Sequence, residues 1–240
     1  DYMVKHFWDK FDFSDTTFIA ADAMEQAYSN YIGYLMMSRD TDAVGNSLRS
    51  LYGKAQASPA MFEYLWDMAD KYLDDYHSPM RSEDLYIIVL RSVLANPDID
   101  DLMKEAPRHK LEMALKNRPG ELANDFQFTA STGQKGSLYG IKADFTILFI
   151  YNLGCQMCQQ VREGMLSVFG EPGMSELVRS GRLKVLAFYP DEDMSEGDKY
   201  LGDIPANWIN AYDPEQNVSR KELYSLRAIP SLYLMDKDKR

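Results

Sequence analysis

The chain of 240 residues has only two cysteines and three histidines. Two cysteines exclude a structural disulfide framework beyond a single bridge. Nowhere do about 18 apolar residues run together, so no stretch reads as a membrane-spanning helix. Basic side chains are also short in number: 26 Lys and Arg stand against 37 Asp and Glu, for a net charge of −11. Phosphate binding needs a basic face, so this balance argues against nucleic acid as a partner. The first residue is Asp1, not Met, so the chain reads as a processed or recombinant piece. A removed leader would leave no trace, and its absence says nothing about compartment. The length suits one or two domains with a sizeable core.

What is present is concentrated in one stretch, Phe145 to Phe169. Phe145 to Tyr151 is an apolar run rich in aromatic and β-branched residues, as in a buried strand. Asn152, Leu153 and Gly154 interrupt it, Cys155 and Cys158 follow, and Val161, Met165, Leu166 and Phe169 recur at helical spacing. The pattern predicts a strand, a tight turn and a helix with both thiols in its first turn. A helix N-terminus favours an anion, so the thiol at Cys155 should be acidified and nucleophilic. Cys158, one turn further in, is placed to resolve what Cys155 binds. The same spacing serves zinc, but zinc needs about four ligands. No third cysteine exists, and His6, His77 and His109 all lie far upstream. A redox pair is the favoured reading, with metal binding or inert buried thiols as the alternatives.

Strand, Cys-x-x-Cys and helix, followed by Ile229-Pro230 opening the apolar run Ser231 to Met235, resemble the thioredoxin fold. The resemblance implies a cis bond before Pro230, next to the cysteines. It also implies that the Ile229 backbone takes an extended substrate segment as an added strand, with Pro230 shaping the surface. Ala123, Phe126, Phe128, Gly133 and Ser137-Leu138 resemble the stretch that precedes the cysteines in redoxins of the exported TlpA and ResA types. That likeness covers residues 119–240. In the N-terminal half, Phe7-Trp8-Asp-Lys-Phe-Asp-Phe-Ser-Asp-Thr-Thr17 and Tyr76-His-Ser-Pro-Met-Arg81 resemble phrases of the uncharacterised helical region that precedes redoxin domains in proteins of Bacteroides-type bacteria. The family implies an exported or periplasmic location; protein thiols or disulfides as substrates; a redox partner protein; and no cofactor or metal.

Residues 1–118 read as five or six helices, over about 22–37, 43–55, 59–76, 82–94 and 99–115. Proline breaks fall at Pro79 and Pro97, and Asn117-Arg118-Pro119-Gly120 marks the boundary. Nine of the 14 methionines fall in this half, and methionine fills irregular cores readily. The tyrosine stripe Tyr28 and Tyr31 reads as core before stacking platform. Asp98, Asp100 and Asp101 could suggest a cation site, though acids at a helix start are favoured by the dipole alone. This half is expected to select a partner or to dimerise. Beyond the cysteines, the pattern predicts helices at 172–179 and 218–226. Strands are predicted at 183–189, 209–212 and 231–235, with a polar stretch from Pro190 to Trp208. The expected fold is therefore an α/β thioredoxin-like domain, lacking its last strand and helix, preceded by an all-helical domain.

Departures from the family bear on function. The resemblance would put a buried acid six residues before the first cysteine; Phe149 stands there, and Glu163 is not clearly aimed at Cys158. Gln156-Met157 replaces the usual Gly-Pro, so the potential could lie anywhere from roughly −270 to −120 mV. A peroxiredoxin would need Thr at Asn152 and Pro at Leu148, and a copper-delivery protein would need a wider cysteine spacing and a later histidine. The remaining choice is between a thiol-disulfide oxidoreductase and a docking module on the same fold.

Overall fold

The structure, a computed structural model, describes residues 2–191 and 204–240. It divides into two compact units, Asp1–Leu115 and Lys116–Arg240. The first is helical, with α1 (Tyr2–His6), a 3-10 turn (Thr16–Ala20), α2 (Asp22–Met37), α3 (Thr41–Ala55), α4 (Pro59–Ala69), α5 (Glu83–Ala95) and α6 (Glu105–Ala114). Side-chain caps set three of the starts. Asp40 accepts from the Ala43 N–H, Ser58 from Met61 and Ser82 from Leu85, each satisfying an otherwise orphaned donor. Pro59 occupies the first turn of α4, where its missing N–H costs nothing.

Tyr28, Tyr31 and Tyr52 are fully buried among Leu35, Leu48 and Leu65. Each hydroxyl has a partner. Tyr52 donates to the Leu65 carbonyl at 2.8 Å and meets Tyr28 at 3.3 Å, while Tyr31 meets Ser47 at 2.7 Å. Burial holds the Tyr28 and Tyr31 hydroxyls well above their ordinary pKa, so they act as neutral structural donors. The tyrosine stripe is core.

Three helices differ from their expected extents: α4, expected to run to residue 76, passes after Ala69 into a π-helical turn over Asp70–Asp74. The last helix of this unit begins at Glu105 instead of near Ile99. Asn96 accepts from the Asp98 N–H and Asp100 from Leu102, local bonds that compete with helix. Here Asp100 closes a turn, and among the described residues no group of three or more His, Cys, Asp or Glu is arranged to hold a metal ion. The helix expected over 218–226 stops at Arg220, because Glu222 is left-handed (φ 49°). The Asn117 and Asn124 amides take the Leu223 carbonyl instead.

The second unit is a six-stranded mixed sheet in the order β2-β1-β5-β4-β3-β6. Among the described residues its strands are β1 (Gln127–Ala130), β2 (Lys135–Ser137), β3 (Phe145–Ile150), β4 (Leu183–Tyr189), β5 (Ile209–Tyr212) and β6 (Ser231–Asp236), and its helices are α7 (Gln156–Phe169), α8 (Pro172–Arg179) and α9 (Asn217–Arg220). β3 runs parallel to β4 and antiparallel to β6, and β4 runs parallel to β5. Alternation sends Leu148, Ile150, Leu186 and Phe188 to one apolar layer and Phe149, Val185 and Ala187 to the other. Both faces of β3 and β4 are buried, which is why their sequences read as unbroken apolar runs. Trp208 is buried too, edge-on to Phe149 and Phe169. Residues 192–203 of the expected polar stretch lie outside the described residues.

β1 and β2 form a hairpin in which Phe128 faces Gly136. A Cβ at Gly136 would stand 2.8 Å from the Phe128 ring. Gly136→Ala should therefore cost about 1–3 kcal/mol through overpacking, read as a lowered urea midpoint. An unchanged midpoint would show that the ring can move aside freely.

Candidate active site

β3 ends at Ile150, and its direction carries the chain straight to the cysteines. Gly154 has φ 68°, a left-handed conformation that glycine adopts without steric cost and that turns the chain into α7. Cys155 is the N-cap of that helix and not a first-turn residue, in contrast to the sequence expectation. Its backbone is extended, and its sulfur accepts the Cys158 N–H at 3.1 Å. The two side chains form a disulfide with Cα atoms 5.2 Å apart. Cys155 is partly exposed, whereas Cys158 is 4% exposed and packs with Phe149 and Tyr151. Cys155 is thus partly open to solvent and Cys158 protected.

Ile229 and Pro230 arrive from the opposite direction along the chain. In the antiparallel β3–β6 register Ser231 pairs with Ile150. This brings the preceding Ile229-Pro230 to the end of the sheet from which the cysteine turn departs. The bond between them is cis. Ile229 packs partly buried on the same apolar cluster that holds Cys158.

A small hollow beside the bridge is lined by Tyr151, Leu153, Gln159, Arg162 and Ile204, with both cysteines. Phe149 forms part of its wall and is 1% exposed, so the position of the expected buried acid is apolar. Glu163 is exposed on α7.

With this geometry in place, the chain can be set beside solved structures. A thioredoxin-like protein from Bacteroides caccae ATCC 43185 matches 99% of this chain and 85% of its own, at 39% identity and a TM-score of 0.93. The chain belongs to the thioredoxin-like proteins. Its helical half, residues 1–117, matches the domain of unknown function DUF5106. Half-length similarities include the C-terminal domain of an uncharacterized protein from Bacteroides fragilis NCTC 9343, at 43% identity, 51% of this chain, 86% of that one and a TM-score of 0.48. Another is a domain of a possible thiol-disulfide isomerase from Cytophaga hutchinsonii ATCC 33406, at 27% identity, 50% of this chain, 78% of that one and a TM-score of 0.43. No curated protein matches the chain. No helix among the described residues is long and apolar enough to cross a membrane.

Several residues that shape this thioredoxin-like site left no mark that a sequence reading could use. Tyr151 donates its hydroxyl to the Asn210 side chain at 2.8 Å, inside the protein. It also stacks on Phe149, with centroids 5.6 Å apart. The bond ties the exit of β3 to β5, across 59 residues of sequence. Arg162 and Ile204 likewise come to the hollow only through the fold. Tyr151→Phe leaves a buried Asn210 oxygen without that donor and should cost about 1–3 kcal/mol, measured by chemical denaturation. An unaltered stability would mean the hydroxyl contributes nothing to fixing the end of β3.

Proposed function

We propose that the protein is a thiol-disulfide oxidoreductase acting on protein substrates through Cys155 and Cys158. The observation that carries this reading is the bridged pair at the start of α7. Its outer cysteine is partly open to solvent and its inner cysteine protected, in a chain of the thioredoxin-like family. A helix N-terminus stabilises negative charge, and the attacking species in disulfide exchange is a thiolate. Cys155 is the sulfur that meets both conditions.

In the reducing direction, the Cys155 thiolate attacks one sulfur of a substrate disulfide. A Cys155–substrate bond forms and the other substrate sulfur leaves as a thiolate, which takes up a proton. The Cys158 thiolate then attacks Cys155, closing the bridge and expelling the second substrate thiolate. Two electrons pass from the cysteine pair to the substrate. A dithiol partner protein must reopen the bridge. In the oxidising direction the same steps run in reverse, and the bridged form receives electrons from a substrate dithiol.

Ile229 and Pro230 form the substrate-binding edge in this reading. The Ile229 backbone offers hydrogen bonds to an extended segment held beside Cys155, a form of strand addition. An exported, periplasmic location fits the likeness of Ala123 through Leu138 to exported redoxins. The helical half, residues 1–118, would serve to select the partner or to pair two copies.

The test is a redox titration in glutathione buffers with thiol trapping, followed by exchange assays on two variants. Cys155→Ser should reduce exchange to the uncatalysed background. Cys158→Ser should still attack substrate and accumulate a mixed disulfide at Cys155. A bridge that no physiological couple opens, or exchange that survives Cys155→Ser, would sink the proposal.

A further inference from the structure

We propose that Arg162 is the electrostatic partner of the Cys158 thiolate and so governs the second, resolving step. The inference rests on the oxidoreductase reading and deepens it at one atom. Resolution requires Cys158 to lose its proton, yet Cys158 is 4% exposed and packed with Phe149 and Tyr151. Apolar burial disfavours a thiolate, so something must offset that cost. The backbone N–H of Cys158 is given to the Cys155 sulfur. The outer thiol benefits from the cap geometry. The inner one needs a charge of its own.

No carboxylate lines the hollow among the described residues, and the wall position where an acid would help is Phe149. Arg162 does line it, together with both cysteines. It follows Cys158 by four residues on α7, a spacing that puts two side chains on one helix face. Helical side chains lean toward the N-terminus, the side of Arg162 on which Cys158 lies. It is half-buried, next to apolar walls that weaken solvent screening. Among the described residues, the lining holds one further titratable side chain besides Arg162 and the cysteines, Tyr151, whose hydroxyl donates to Asn210. Glu163 is exposed on the same helix.

A guanidinium is permanently protonated and cannot act as a base. Its effect is to favour the charged form of Cys158 while the proton leaves to water. The thiolate then attacks the Cys155 sulfur of the mixed disulfide. The Cys155–substrate bond breaks, the substrate leaves as a thiolate that water protonates, and the internal bridge forms.

The experiment titrates Cys158 alone, in a Cys155→Ser background, by thiolate absorbance against pH. Arg162→Gln should raise the midpoint by about one pH unit, and Arg162→Lys should restore most of the difference. With Cys155 intact, a rise of that size cuts the thiolate fraction tenfold but makes the remaining thiolate more nucleophilic. Release of a preformed mixed disulfide near neutral pH should therefore slow about threefold in Arg162→Gln. An identical midpoint in Arg162→Gln overturns the proposal. So does a folded Arg162→Lys whose midpoint matches that of Gln, because the role would then belong to the packing of the arginine stem. If the unaltered protein forms no mixed disulfide at all, the oxidoreductase reading fails, while the Cys158 titration still decides the role of Arg162.

Discussion

The second unit depends on the pairing of β3 along its whole length with a parallel neighbour on one side and an antiparallel one on the other. Six residues of β3 pair with Leu183 to Phe188, and the same six pair with Ser231 to Asp236. A one-residue slip would exchange the two apolar layers, placing Phe149 where Leu148 and Ile150 belong. The register is therefore fixed by burial on both faces. That register places the cysteine turn, the exit of β4 and the entrance of β6 at one end of the sheet. Residues separated by some 75 positions in sequence meet there because their strands have no other compatible alignment.

The chemistry of the pair follows from where α7 begins. Asn152 to Gly154 are too few to let the helix start elsewhere, and the left-handed Gly154 directs Cys155 into the capping position. Capping is ordinarily done by a hydroxyl or carboxylate oxygen; here a sulfur accepts the bond. The asymmetry between a partly exposed outer cysteine and a protected inner one arises from a single turn of helix lying on an apolar cluster.

Much of this was legible in the sequence. The run from Phe145 to Tyr151, the punctuation at Gly154 and the period of Val161, Met165 and Phe169 define strand, turn and helix by local pattern alone. Elements buried on both faces or carrying a clear apolar stripe are the ones local patterns describe well. Where the reading failed, the cause was competition from side chains that pattern analysis does not weigh. Asn96 and Asp100 bond nearby backbone and delay α6, and Asn117 and Asn124 capture a carbonyl that a longer α9 would have used. Trp208 sits in a polar stretch of sequence but is buried, since its partners Phe149 and Phe169 are supplied by distant elements. The tie between Tyr151 and Asn210 and the position of Arg162 at the hollow are tertiary facts, with no local signature.

The sulfur cap has one more consequence. The Cys155 sulfur that closes the first turn of α7 is the same atom that would bond to a substrate. Bond rearrangement at that atom and fraying of the helix end are therefore thermodynamically linked. Replacement of an ordinary N-cap changes stability by about 0.5–2 kcal/mol, and for a two-electron couple 1.4 kcal/mol corresponds to about 30 mV. The first-turn residues between the two cysteines, Gln156 and Met157, thus gain leverage over electron affinity through the helix they help to hold. Evolution could retune this protein by adjusting how firmly one turn of backbone is wound.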